Sequence, residues 1–245
     1  MNYLVIITFG ILPSIIWLLY YLREDVHPEP KRMILKIFCY GVLIGFVAIA
    51  VELSISGILQ KIKGATITPS SIFFYLIQHF VAVALVEEVL KYSVVRLAVL
   101  KSPEFDEPTD AMIYMIITAL GFAALENILT LCALAGAENF LSGAAIVTAL
   151  RFLGATFLHC LCSATIGFFV AWSIYEPKNK HLLIGLGLLI AVLLHGLFNL
   201  FIINIEGLKL DILAIGFILI SLAIFVSFAF RKLKKIASVC EINKE

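Results

Sequence analysis

The chain has 245 residues, 62% of them hydrophobic and only 14% charged, with a mean hydropathy of +1.07. Soluble domains run at roughly 45–50% apolar and about 25% charged, so a soluble globule is excluded. A formal net charge of +1 supplies no basic field, and no nucleic-acid partner is expected.

Apolar runs of about 20 residues, enough to cross a hydrocarbon core of roughly 30 Å, recur seven times. The first, 3–22, lacks a basic n-region and a small-residue cleavage site before Arg23, so it is expected to be retained. Pro28 and Pro30 break the chain after it. The second, 37–58, carries Glu52 and a Gly41-x-x-x-Gly45 spacing that lets another helix approach closely but has no functional weight by itself. The third, 72–97, holds His79, Glu87, Glu88 and Lys91. Pro103 and Pro108 precede the fourth, 111–134, which Thr109 or Asp110 is placed to cap and which contains Glu126 and Asn127. The fifth, 146–174, contains Arg151, His159 and Ser163; the sixth, 182–203, contains His195 and Asn199. The seventh, 212–230, ends in Arg231-Lys-Leu-Lys-Lys, a stop-transfer flank suited to anionic lipid.

Lipid offers the backbone no hydrogen-bond partners, and these runs are of helix length without the alternation of barrel strands. The expected fold is therefore all-α: one domain over 1–245, a polytopic membrane bundle of about seven transmembrane helices, with eight as the alternative count. Loops after the first, third and fifth spans and the C-terminal tail hold Arg23, Lys31, Arg32, Arg96, Lys101, Lys178, Lys180, Arg231, Lys232, Lys234, Lys235 and Lys244. The opposite loops hold only Lys61, Lys63 and Lys209. This asymmetry puts the N-terminus outside and the C-terminus in the cytoplasm, in what is expected to be a prokaryotic cell membrane. The five cysteines, Cys39, Cys132, Cys160, Cys162 and Cys240, form no CxxC pattern and read as reduced packing residues.

Function resides in polar groups set inside apolar runs. Glu87, Glu88, Lys91 and Glu126, left unpaired at the bilayer centre, would together cost on the order of 10–14 kcal/mol. Counted from where each span enters, Glu87, Glu126, His159 and His195 lie at a similar depth, roughly 20 Å in at 1.5 Å per residue. Glu87 with Lys91, His159 with Ser163, and His195 with Asn199 are i, i+4 pairs, each sharing one helix face. Two adjacent buried carboxylates favour one raised pKa and a proton-handling base. Taken singly, a buried ion pair, a packing histidine, a Ser bonded to its own helix and Asn as interhelix glue are all bland alternatives. Four helices converging at one depth outweigh them. Glu52, His79 and Arg151 show no matching pattern and are read as structural or interfacial. No dinucleotide fingerprint, P-loop or HExxH is present.

The ordered motifs Glu87-Glu88-x-x-Lys91, Gly121-Phe-Ala-Ala-Leu-Glu126-Asn127, His159-x-x-x-Ser163 and His195-Gly-Leu-Phe-Asn199 resemble the PrsW family of intramembrane proteases. Pro28-Glu29-Pro30-Lys31, and Glu107-Pro108-Thr109-Asp110 with Tyr114, resemble its flanking pattern. The related CAAX prenyl endopeptidases place His where this chain has Glu126, which argues against prenyl-peptide chemistry. The resemblance implies hydrolysis of a peptide bond in a single-span membrane protein, such as an anti-sigma factor. Glu87, with Glu88 in reserve, would activate water with help from His159 or His195, while Asn199 and the other imidazole stabilise the oxyanion. Glu126 joins this set, and Lys91, Asn127 and Ser163 support it. Two histidines and a carboxylate could instead hold one Zn²⁺, drawn from Glu87, Glu126, His159 and His195. The metal-free version is slightly preferred. A proton-coupled transporter and a non-catalytic scaffold or immunity protein are the competing classes.

Overall fold

The computed structural model describes residues 3–25, 27–65, 71–203 and 209–236. Cys240, Lys244 and the side chain of Lys63 lie outside what is described. Among the described residues there is no strand. The helices are α1 (Tyr3–Tyr21), α2 (Lys31–Ala65), α3 (Ser71–Leu76), a π-helical stretch (Ile77–Leu85), α4 (Val86–Ala98), α5 (Pro108–Ala133), α6 (Phe140–Leu153), α7 (Ala155–Tyr175), α8 (Lys180–Ile203) and α9 (Lys209–Leu233). Merged where they continue, they make seven segments long and apolar enough to cross a membrane. Outer faces expose Leu4, Leu43, Leu53, Leu182, Phe217 and Ile224, as lipid-facing surfaces do.

The bundle is built around α5, in which every residue from Pro108 to Leu125 is buried. Small residues allow its neighbours to come close. A Cβ on Gly41 would lie 2.1 Å from the Thr118 carbonyl oxygen, and one on Gly121 would lie 2.1 Å from that of Phe38. The Gly41 spacing in the sequence is thus the α2–α5 crossing, and Gly121 is its counterpart on the other helix. Gly167 of α7 rests on Met112 of α5 in the same way, its added Cβ only 2.6 Å from the Met112 Cα. Asp110 does serve the start of α5, but from inside the helix. Its Oδ2 accepts the backbone N–H groups of Asp106 (3.0 Å) and Glu107 (2.7 Å), with Pro108 in the first turn.

Two spans depart from straight helices. The third contains the π-helical stretch, whose wider turns end immediately before Glu87. The fifth is broken at Gly154 (φ −102°, ψ −98°) into α6 and α7. Trp17 of α1 anchors the break, stacking on Phe152 and Phe157 and donating its indole N–H to the Phe152 carbonyl at 2.9 Å. His159 consequently sits in the second turn of α7, so the straight-run depth count from residue 146 does not apply to it.

Candidate active site

Glu87, Glu88 and Lys91 share the first turns of α4, His159 and Ser163 belong to α7, His195 to α8 and Glu126 to α5. Their side chains meet. Lys91 is completely buried, and its ammonium has three N–H donors. Each finds an acceptor: Glu87 Oε2 at 3.1 Å, Glu88 Oε1 at 2.9 Å and His159 Nδ1 at 2.8 Å. The Phe122 ring lies 4.3 Å beneath the same ammonium. The mutual repulsion of the adjacent carboxylates, expected from the sequence to be relieved by a proton, is offset here by a shared cation.

This arrangement dictates the state of both imidazoles. His159 Nδ1 accepts from Lys91, so Nε2 carries the hydrogen and donates to Glu126 Oε2 at 2.7 Å. His195 Nδ1 donates to Glu88 Oε1 at 2.9 Å, leaving the Nε2 lone pair 4.0 Å from Glu87 Oε2. His159 Nδ1 lies 3.8 Å from the same oxygen. Each ring therefore turns one nitrogen towards Glu87 and the other towards a second carboxylate, and the rings meet edge to face at 5.1 Å. Gly196 makes this possible. A Cβ there would lie 2.4 Å from Phe80 Cδ1, so only glycine lets the π-helical stretch press against α8 beside His195.

A cavity of about 470 Å³ opens onto this group. Glu87, Glu126, Arg151, His159, His195 and Asn199 line it, with His79 and Thr130 at its polar margin and Phe198, Leu150 and Ile202 on apolar walls. Asn199 faces it one turn beyond His195. Ser163 reaches only a long 3.5 Å contact with Glu88 Oε2. Asn127 is turned away: its amide donates to the Gly10 carbonyl (3.2 Å) and to Thr156 Oγ1 (3.1 Å), tying α1, α5 and α7 together. Two residues read from the sequence as structural belong to the cavity wall. Arg151 bonds Glu126 at 3.2 Å and also Asn127, and His79 lies on the π-helical stretch. Gly154 itself is the sequence signal for the bend that brings Arg151 here, a weak one inside a long apolar run. Glu52 of α2 is not among the residues lining this cavity.

The donor set suits a divalent metal. Glu87, Glu88, His159 and His195 each offer one ligand atom, all within 4.8 Å of one another. Glu126 is outside that set, because it holds the far nitrogen of His159. With neutral histidines, Glu87, Glu88 and Glu126 outnumber Lys91 and Arg151 by one charge. Metal-ligating histidines usually donate their other ring N–H to a carboxylate, as His159 does to Glu126 and His195 to Glu88 here.

Comparisons with known proteins identify the family. The family described as "PrsW family intramembrane metalloprotease" matches residues 29–229. The chain is 29% identical over 195 residues to Protease PrsW of Geobacillus kaustophilus, covering 79% of this chain and 78% of that protein. Protease PrsW of Bacillus subtilis is 29% identical over 196 residues (79% and 81%), and that of Clostridioides difficile 29% over 214 residues (86% and 84%). No solved structure matches. With four buried motifs meeting in one cavity and the family match spanning most of its length, the chain belongs to the PrsW family of intramembrane metalloproteases and is a multi-pass membrane peptidase.

Proposed function

We propose that this cavity hydrolyses a peptide bond of a single-span membrane protein of the anti-sigma-factor type, with Glu87 as the base that activates water. The observation carrying this reading is the position of Glu87: its Oε2 faces the free nitrogen of His195 at 4.0 Å, on a cavity wall, and accepts a hydrogen bond from Lys91 at 3.1 Å. A carboxylate with a cation as its partner and a cavity before it has the geometry a general base needs, where an unpaired one would be costly to bury. Asn199, one turn from His195, is placed to donate to the oxyanion of the tetrahedral intermediate. The proton taken by Glu87 then passes to the departing amine.

In a metal-bound form Glu87 would be a ligand in place of a free base, together with His159 through Nδ1 and His195 through Nε2, provided Lys91 releases His159. A bound Zn²⁺ would supply Lewis-acid polarisation of the carbonyl and acidify water. Glu88 orients His195 and Glu126 orients His159 in either case. The family description as a metalloprotease favours the metal version over the metal-free one, which the resemblance to the related endopeptidases suggests.

The test is reconstitution of purified protein in liposomes with single-span anti-sigma factors and mass spectrometry of the products. A cut within or at the edge of the substrate span is expected. Absence of cleavage, together with proton flux across the liposome membrane, would instead establish the transporter reading.

A further inference from the structure

Arg151 sits in the last turn of α6, just before the Gly154 break, and so belongs to a different helix from every motif residue. Its guanidinium reaches back to α5. Nε donates to Asn127 Oδ1, and Nη2 lies 3.2 Å from Glu126 Oε2. That oxygen is also the one receiving His159 Nε2–H at 2.7 Å. A continuous polar chain thus runs Arg151, Glu126, His159, Lys91, Glu87 from the cavity wall to the base. Glu126 is the loosest member, its side chain 31% exposed against 3% for His159. Without a second partner its carboxylate is free to rotate into the cavity.

Resting on the proposed function, we infer that Arg151 is a positioning residue: by clamping Glu126 it fixes the ring of His159, so that Nε2–H stays bonded to Glu126 and Nδ1 stays turned towards Glu87. The forked guanidinium suits this task because one planar group grips Asn127 and Glu126 together, fixing the clamp by two points. Asn127 is itself secured to α1 and α7 through Gly10 and Thr156. The α6–α7 bend is therefore not merely a way to fit a 36-residue apolar segment into the bilayer; it delivers the clamp.

The experiment compares wild type, Arg151→Gln, Arg151→Lys, Glu126→Gln and the double variant Arg151→Gln/Glu126→Gln in cleavage of a single-span substrate in liposomes. Arg151→Gln is expected to lower kcat about 10- to 100-fold, the range for outer-shell partners, with KM changed less than about threefold as an indirect role requires. Arg151→Lys should recover part of the loss. Because Arg151 acts through Glu126, adding Arg151→Gln to Glu126→Gln should cost less than about twofold more.

A second readout is independent of turnover. In ¹⁵N-histidine NMR of the wild type, His159 should show one sharp, strongly hydrogen-bonded Nε2–H resonance, and Arg151→Gln should shift and broaden it as the ring loses its fixed orientation. Losses that multiply in the double variant, an effect confined to KM, or an unchanged His159 spectrum in Arg151→Gln would overturn the inference. Should Arg151→Gln not fold, Arg151→Lys decides it alone: an unchanged His159 spectrum with wild-type kcat refutes the clamp. If wild type cleaves no substrate, the proposed function fails while the NMR comparison still decides the role of Arg151.

Discussion

Replacing Glu87 by glutamine separates chemistry from stability at the buried centre. The amide keeps the side-chain shape and an oxygen for Lys91, so the ammonium retains three acceptors and still has Glu88, 2.9 Å away, as its counterion. Only the ionic character of one hydrogen bond is lost, worth about 1 kcal/mol. The carboxylate that serves as base, or as ligand in a metal-bound form, is removed entirely, and general-base assistance alone contributes about 10²- to 10⁴-fold, or roughly 3–5 kcal/mol of barrier. Glu87→Gln should therefore melt within a few degrees of wild type in detergent yet cleave at least 10²-fold more slowly. Lys91→Met is the contrasting variant. It strands Glu87 and Glu88 without a cation, and breaking a buried pair of this kind costs about 3–5 kcal/mol. The measurement is single-turnover cleavage of a single-span substrate beside thermal unfolding of the same preparations. Wild-type cleavage by both Glu87→Gln and Glu88→Gln would refute the reasoning, as would a Glu87→Gln melt as low as that of Lys91→Met.

Burial pushes the Glu29 carboxyl up to about 7; the Tyr114 hydroxyl, bonded at 2.5 Å, opposes the shift and Asp25 adds to it. The native chain thus keeps a proton that the unfolded chain releases, so stability should fall as pH rises from about 4.5 to about 7, by at most on the order of 3 kcal/mol. Melting curves of Glu29→Gln should lack this slope; an identical slope in the variant would show that another group causes it. Gly121→Val drives a side chain into the Phe38 carbonyl and should prevent stable folding, whereas Gly57→Ala, with open space around it, should melt like wild type. Stringent chelation should abolish cleavage and zinc should restore it, with one metal per chain by elemental analysis of wild type and none in His159→Ala/His195→Ala. Full activity of metal-free protein would return the metal-free glutamate mechanism. C-terminal reporter fusions should place the tail in the cytoplasm; a tail reached from outside intact cells would reverse the orientation.

The membrane fold was legible in the sequence because lipid imposes a coarse rule: a helix of sufficient length must be apolar throughout, and seven such runs stand out at 62% hydrophobic composition. Buried charge was legible for the same reason, since Glu87, Lys91, Glu126, His159 and His195 would be too costly inside those runs without partners. Which groups pair was not. That Lys91 serves three acceptors, that Glu126 binds the outer nitrogen of His159, and that Asn127 is an anchor follow from helix rotation and approach. Gly41, Gly121 and Gly196 permit those approaches, but a glycine spacing does not say which helix arrives. The π-helical stretch and the Gly154 bend were not read from the sequence, because Gln78, His79 and Gly154 are weak signals within otherwise apolar runs and both features are stabilised by distant contacts, Phe80 on Gly196 and Trp17 on Phe152. Local hydrophobicity thus determined that the chain crosses the membrane and which side chains could not be idle, whereas only tertiary packing decided how they face one another and brought Arg151 among them.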